Sequence, residues 1–200
     1  MIQSEIAFIN FNSSNLSKFS RDMSSQFDFS RRVVVIDSTV ENYQQLVKGI
    51  IVPTDLFIIN DKQDGILQLV QIVHQYNIIK EIHIVCHGSP GCLKLGTSQL
   101  SLDTFPDYYN HFQMLAPKLS NASIVLYGCQ VGAGETGNSF VRQLQQLTGA
   151  HNITASATAT GSQALGGDWH LQVNVGHSIP NLRSIFSEAV METYNHILTF

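Results

Sequence analysis

Two short segments carry residues placed to do chemistry together, His87-Gly88 and Gly128-Cys129. A thiol attacks only as the thiolate and titrates near pH 8.5 when free, so it needs a base. A histidine can take that proton and afterwards protonate a leaving amine. Glycine beside each residue lets a substrate backbone come close. The N–H groups of Gly88 and Cys129 are then candidates to hold a tetrahedral oxyanion. The competing reading is packing. Free cysteine is among the most buried residue types, and His87 would then be a satisfied histidine at a strand end.

The elements around these segments decide whether they can meet. Short apolar runs at Val33–Ile36, Leu56–Ile59, Ile82–Cys86 and Ile124–Tyr127 read as strands buried on both faces, and Asn152–Ala157 as a weaker fifth. Helical spacing separates them: Tyr43, Leu46, Val47 and Ile50; Ile66, Leu69, Val70, Val73 and Tyr76 behind Asp64-Gly65; Tyr108, Phe112, Leu115 and Leu119 behind Pro106; Phe140, Val141, Leu144 and Leu147 before Gly149. This alternation predicts an α/β domain, a mostly parallel central sheet with helices on both faces. Sites in such sheets gather at the carboxyl ends of the strands. Those ends are Asp37, Asn60, Cys86-His87-Gly88, Gly128-Cys129 and Ala157-Thr158. Adjacent strands lie about 5 Å apart, so His87 and Cys129 can face each other from the same rim.

The remaining segments organise around that core. Residues 1–31 form an N-terminal extension with no motif, and 32–177 form the domain. Gly91–Gly96 reads as a small hairpin. Trp169, Leu171, Val173 and Val175 alternate with polar residues as a strand with one buried face. Phe186, Val190, Thr193 and Ile197 predict an amphipathic helix within 178–200, packed on the domain.

Other chemistries fit less well. Gly132-Ala133-Gly134-Glu135-Thr136-Gly137 matches G-x-G-x-x-G, but a dinucleotide fingerprint belongs at the first βα turn with an acid about 20 residues on, and neither holds here. His83, Cys86, His87 and Cys92 invite a zinc reading, yet successive strand residues point to opposite faces and the spacing fits no usual zinc pattern. No G-x-S-x-G elbow occurs. Neither metal nor cofactor is expected. The net charge of −4 gives no footprint for nucleic acid or an anionic membrane. No apolar run reaches membrane-span length, and the N-terminus lacks the pattern of a signal peptide. Three cysteines are too few for a disulfide framework. A cytoplasmic location, or export without an N-terminal signal, is the expectation.

Val85-Cys86-His87-Gly88 and, further along, Leu126-Tyr127-Gly128-Cys129 resemble the His-Gly and Gly/Ala-Cys pattern of caspase-like cysteine peptidases. More closely, the segments RRVVVIDS, IHIVCHGSPGCLKLG, IVLYGCQVGAGETGNSFV, LTGAHNITAS and TGSQALGGDWHL, between Arg32 and His177, resemble an uncharacterised bacterial domain of that superfamily, found near the N-termini of large adhesin-like proteins. Gln130-Val131-Gly132 departs from the Arg-Gly or Gly-Gly that succeeds the caspase cysteine, so caspase specificity is not implied. The resemblance implies a caspase-like three-layer sandwich and endopeptidase chemistry. Cys129 would be the nucleophile, His87 the base, and the Gly88 and Cys129 amides the oxyanion hole. A polypeptide substrate would lie extended beside the chain after the fifth strand, near Ala157 to Gly161, with Ala157 and Thr158 as binding residues, and the domain would be fused to, or associate with, a larger protein, processing it in cis or releasing a partner. Asp37 occupies a position that lines the S1 pocket in some relatives, where an acid suits a basic P1 residue; the alternative is that it caps the following helix. Asp168 is a weaker candidate that more naturally shapes a turn. Against the peptidase stands a catalytically silent interaction module on the same fold.

Overall fold

The structure is a computed structural model, and it describes residues 31–177 and 184–200. The extension 1–31, except Arg31, lies outside the described residues, as do 178–183. The first half of the chain runs β1 (Arg32–Asp37), α1 (Tyr43–Lys48), β2 (Asp55–Ile59), α2 (Gly65–His74), β3 (Glu81–Val85), β4 (His87–Ser89), β5 (Cys92–Leu95) and β6 (Ser98–Ser101). It continues with α3 (Phe105–Leu119), β7 (Ser123–Tyr127), α4 (Gly134–Thr148), β8 (Asn152–Ala155), β9 (Val173–Gly176) and α5 (Glu188–Thr193).

Six strands form the central sheet in the order β2-β1-β3-β7-β8-β9. All neighbours are parallel except β9, which returns antiparallel along β8. The apolar runs explain the placement. Val33, Val34, Val35 and Ile36 are all fully buried, as befits a strand covered on both faces. Alternation splits them: Val33, Val35, Ile82, Ile84, Ile124 and Leu126 join the core beneath α2, α3 and α4. Val34, Ile36, Val85, Val125 and Tyr127 join a second core with Leu46 of α1 and with Ile185, Phe186, Tyr194 and Leu198. The domain is thus an α/β sandwich of three layers. Each fully buried Val or Ile contributes about 1.5–3 kcal/mol, so both faces hold the central strands firmly.

Local signals behave as expected. The Asp64 carboxylate caps α2 by accepting from the Leu67 amide at 2.9 Å. Pro106 stands in the first turn of α3, and Gly149 ends α4 at φ 62°. The expected hairpin at Gly91–Gly96 is the middle of a separate three-stranded antiparallel sheet, β4-β5-β6.

Two expectations change. The alternating strand begins only at Val173; Trp169 and Leu171 pack on the second core while Val173 and Val175 pack on the first. The C-terminal helix is confined to Glu188–Thr193, and beyond it the chain is extended, with Ile197 bridged to Gly161. The spacing that suggested one helical stripe in fact serves a short helix followed by a strand-like segment. Among the described residues, no helix is long and apolar enough to cross a membrane.

Candidate active site

The site forms where β3 and β7, adjacent in the sheet, run out side by side. Cys86 ends the first run with its side chain fully buried in the helix-side core. His87 then starts β4 as the chain leaves the central sheet. Opposite, Gly128-Cys129 leads into a turn in which Gln130 takes a left-handed φ of 58°, with its amide bonded to Thr158 O at 2.8 Å. The two segments touch. A Cβ on Gly128 would lie 3.3 Å from Cys86 O and 3.4 Å from Gly88 Cα. A side chain there would make the neighbours give by a few tenths of an ångström.

His87 is 6% exposed. Its Nε2 lies 3.1 Å from the carbonyl oxygen of Thr39 and 3.6 Å from the Glu41 carboxylate. A carbonyl oxygen only accepts, so the ring proton belongs on Nε2 and the Nδ1 lone pair is free. Nδ1 is buried and has no partner among the described residues. With Nε2 engaged by Thr39 O, Nδ1 is the ring nitrogen left to act as a general base.

Cys129 is 2% exposed. The Thr160 amide donates to its Sγ at 3.2 Å, and the thiol faces Thr160 O at 3.6 Å. Burial pushes the thiol pKa up, while the backbone at Thr160 and Leu198 pulls it partly back. The net shift is upward, so the thiol is protonated at neutral pH in this state.

A carbonyl oxygen fills the expected oxyanion position. Leu198 O accepts from the Gly88 amide at 3.0 Å and from the Cys129 amide at 3.1 Å. The segment carrying it runs as an added strand: Leu198 N donates to Thr160 O at 2.9 Å, Ser162 N donates to His196 O at 2.9 Å, and Ile197 opposes Gly161 in antiparallel sense. On the other side Thr199 bridges Gly88. The Leu198 side chain is fully buried in the apolar cluster that includes Val40, Tyr127, Cys129 and Tyr194.

The structure thus brings the Gly88 and Cys129 amides together, with the His87 ring turned to Thr39 and the Cys129 thiol to Thr160, and places the other predicted residues elsewhere. Asp37 is fully buried, with one carboxylate oxygen accepting from the Thr39 amide at 2.8 Å and its hydroxyl at 2.6 Å, and the other from the Gly96 amide. It braces the loop that carries Thr39, which is closer to the capping alternative than to a charge awaiting substrate. Ala157 and Thr158 do not carry the added strand. The Ala157 amide bonds Gln172 at 2.8 Å, and Thr158 O is taken by Gln130. The pairing edge is Thr160–Ser162, at the far end of the expected Ala157–Gly161 stretch and one residue past it. Asp168 shapes a turn, accepting from Thr158 Oγ1 at 2.9 Å and the His170 amide at 2.7 Å.

The glycine-rich loop packs. A Cβ on Gly132 would lie 2.7 Å from Val173 Cγ2, and one on Gly137 would strike the backbone of Gly132. Among the described residues, no three His, Cys, Asp or Glu side chains gather as a metal site. Sequence reasoning missed Thr39, Glu41, Ser162 and Leu198. Thr39 and Ser162 act here through backbone groups, which leave no trace in residue type.

The fold and the site define an α/β domain with a cysteine and a histidine at the carboxyl rim of a mostly parallel sheet. The chain belongs to the family of a domain of unknown function, DUF4347, which matches residues 33–198. No curated protein matches the chain. No solved structure matches it either.

Proposed function

We propose that this domain is a cysteine peptidase in which Cys129 is the nucleophile and His87 the base. The observation that carries this reading is the convergence of the Gly88 and Cys129 amides, at 3.0 and 3.1 Å, on one peptide carbonyl oxygen beside the thiol. Donors at that range suit a developing oxyanion. The free Nδ1 of His87 and the strand-pairing edge at Thr160–Ser162 support it, as does the resemblance of the His-Gly and Gly-Cys segments to caspase-like peptidases. The His87 base takes the Cys129 proton, the thiolate adds to the carbonyl carbon, and the two amides hold the oxyanion. Protonation of the amine by His87 releases it, and water then frees the acyl group.

A silent module is the second reading, favoured by the buried, protonated thiol and the filled groove. A peptidyl acyloxymethyl ketone separates the two, applied to the wild-type chain and to a Leu198→Asp chain whose segment is loosened. The peptidase reading expects Cys129 to label far faster than Cys92, and His87→Ala to abolish the difference. If Cys129 labels no faster than Cys92 in either chain, the reading is lost.

A further inference from the structure

We infer that the substrate of this site is the chain itself, cut in cis between Leu198 and Thr199. The inference rests on the peptidase reading above and goes beyond it by naming the bond.

Four independent features mark that bond. Among the described residues, the oxygen of Leu198 alone receives both candidate oxyanion donors. The residues before it pair with Thr160–Ser162 through the amide of Leu198 and the carbonyl of His196, the alternate pattern by which an extended peptide adds to a strand edge. Leu198 fills an apolar recess with a fully buried side chain, whereas Thr199 beyond it is exposed. Finally, the seat is built for this segment. Gly161, at φ 130°, has no room for a Cβ against His196 O, and a Cβ on Gly167 would sit 2.5 Å from Ile197 Cδ1.

The recess also defines specificity. Val34, Ile36, Val40 and Tyr127 belong to the apolar cluster that receives this branched aliphatic side chain. The residue before the cut is therefore leucine or one of similar shape. The basic preference suggested by Asp37 is replaced, because that carboxylate is engaged by Thr39 and Gly96.

The step balances with water as the only co-reactant. The Cys129 Sγ–H proton moves to His87 Nδ1 as Sγ bonds to the Leu198 carbonyl carbon. The tetrahedral intermediate collapses with loss of the Leu198 C–N bond, and the His87 proton goes to the Thr199 nitrogen. A Leu198 thioester and a free Thr199 amine result. Water adds to the thioester, giving one proton to His87; the collapse passes that proton to the Cys129 thiolate and leaves a Leu198 carboxylic acid, whose proton ionises to solvent or to the free Thr199 amine. The domain is thereby separated from the chain beyond Leu198.

The test uses the full 200-residue chain carrying a folded reporter after Phe200. Intact-mass and N-terminal analysis should find a fragment ending at Leu198 and a reporter beginning at Thr199. Cys129→Ala and His87→Ala should each leave the chain whole. Leu198→Asp should abolish the cut and Leu198→Met should restore it, with thermal melting confirming that each variant is folded. The peptide Asn-His-Ile-Leu bearing a fluorogenic amide, added to the Leu198→Asp chain, tests the site in trans. It should be hydrolysed at least tenfold faster than by a Cys129→Ala/Leu198→Asp chain. A wild-type chain that stays whole while peptides are cleaved in trans overturns the in-cis inference and leaves the peptidase reading standing. No cleavage in cis or in trans, together with an unreactive Cys129, overturns both. A cut that persists in Cys129→Ala overturns the inference as well.

Discussion

The Nε2 atom of His87 lies 3.1 Å from the carbonyl oxygen of Thr39. This one contact fixes the tautomer and leaves the basic nitrogen free, and Glu41 at 3.6 Å adds a negative charge beside the ring. The carboxylate is half exposed, so its attraction is screened by salt. Under the proposed mechanism Glu41 would be a positioning residue for the His87 ring. Glu41→Gln should lower kcat/KM for the fluorogenic peptide by about three- to tenfold at low ionic strength. With Leu198→Asp as the parent chain, the parent rate should fall towards that of the added Glu41→Gln variant as salt rises to about 1 M. An unchanged ratio at all salt concentrations would show that Glu41 acts through packing alone.

Gly88 keeps the His87-Gly88 and Gly128-Cys129 segments close together. A Cβ there would lie 2.6 Å from Val131 Cγ2 and 3.0 Å from Cys129 O. The side chain of Val131 can yield; the backbone of Cys129 can do so only by shifting the nucleophile. Gly88→Ala should therefore reduce kcat/KM by about 100-fold, the scale of an ångström-sized misplacement. Adding Val131→Ala should recover thermal stability without recovering the rate. Full recovery of both would place the entire effect on Val131.

Asp37 is predicted to govern stability rather than specificity. Its carboxylate satisfies the Thr39 amide, the Thr39 hydroxyl and the Gly96 amide within a fully buried setting. Asp37→Ala strands those donors, at about 1–3 kcal/mol for a buried unsatisfied group. Denaturant titration should show that loss. A peptide library should show the same preference for leucine before the cut in both proteins. A shift away from cleavage after basic residues, seen only in the variant, would return Asp37 to the specificity pocket.

Acid should weaken the fold through Glu81 and His83. His83 is fully buried, and burial lowers its pKa below the ordinary 6.5 despite Glu81 Oε2 at 3.3 Å from Nε2. Glu81 is held at about 2, chiefly by its hydrogen bond from His83, which outweighs burial and is helped by Arg32. Both folded-state pKa values are depressed, so the unfolded chain binds more protons on acidification. Stability should be fully present above about pH 6.5, decline as His83 is forced to protonate, and decline again between about 4.5 and 2 as Glu81 protonates. Because Glu81 is partly exposed, its share is about 2 kcal/mol rather than the full shift. Chemical denaturation across pH 2–8 checks this, and Glu81→Gln should flatten the lower limb. A stability curve that rises on acidification would refute the assignment.

Apolar patterning along the chain was enough to specify the sheet and to put the His87-Gly88 and Gly128-Cys129 segments side by side. Four short apolar runs, each ending in a polar or glycine-containing break, can be buried only as central strands. Strand ends in a parallel sheet share one rim. The glycines at 88 and 128 were read as room for a substrate backbone, whereas in the fold the space beside Gly88 is taken by Val131 and the Cys129 backbone. The occupant of that rim was settled in three dimensions. Ile197 fits a helical stripe with Phe186, Val190 and Thr193, and nothing local distinguishes it from the end of a helix. The unpaired amides and carbonyls along Thr160–Ser162 draw His196–Leu198 into an added strand instead. The role of Asp37 depended on Gly96, brought beside it only by the folded β5–β6 turn. The tautomer of His87 depended on a backbone oxygen at Thr39, which any residue type would have supplied.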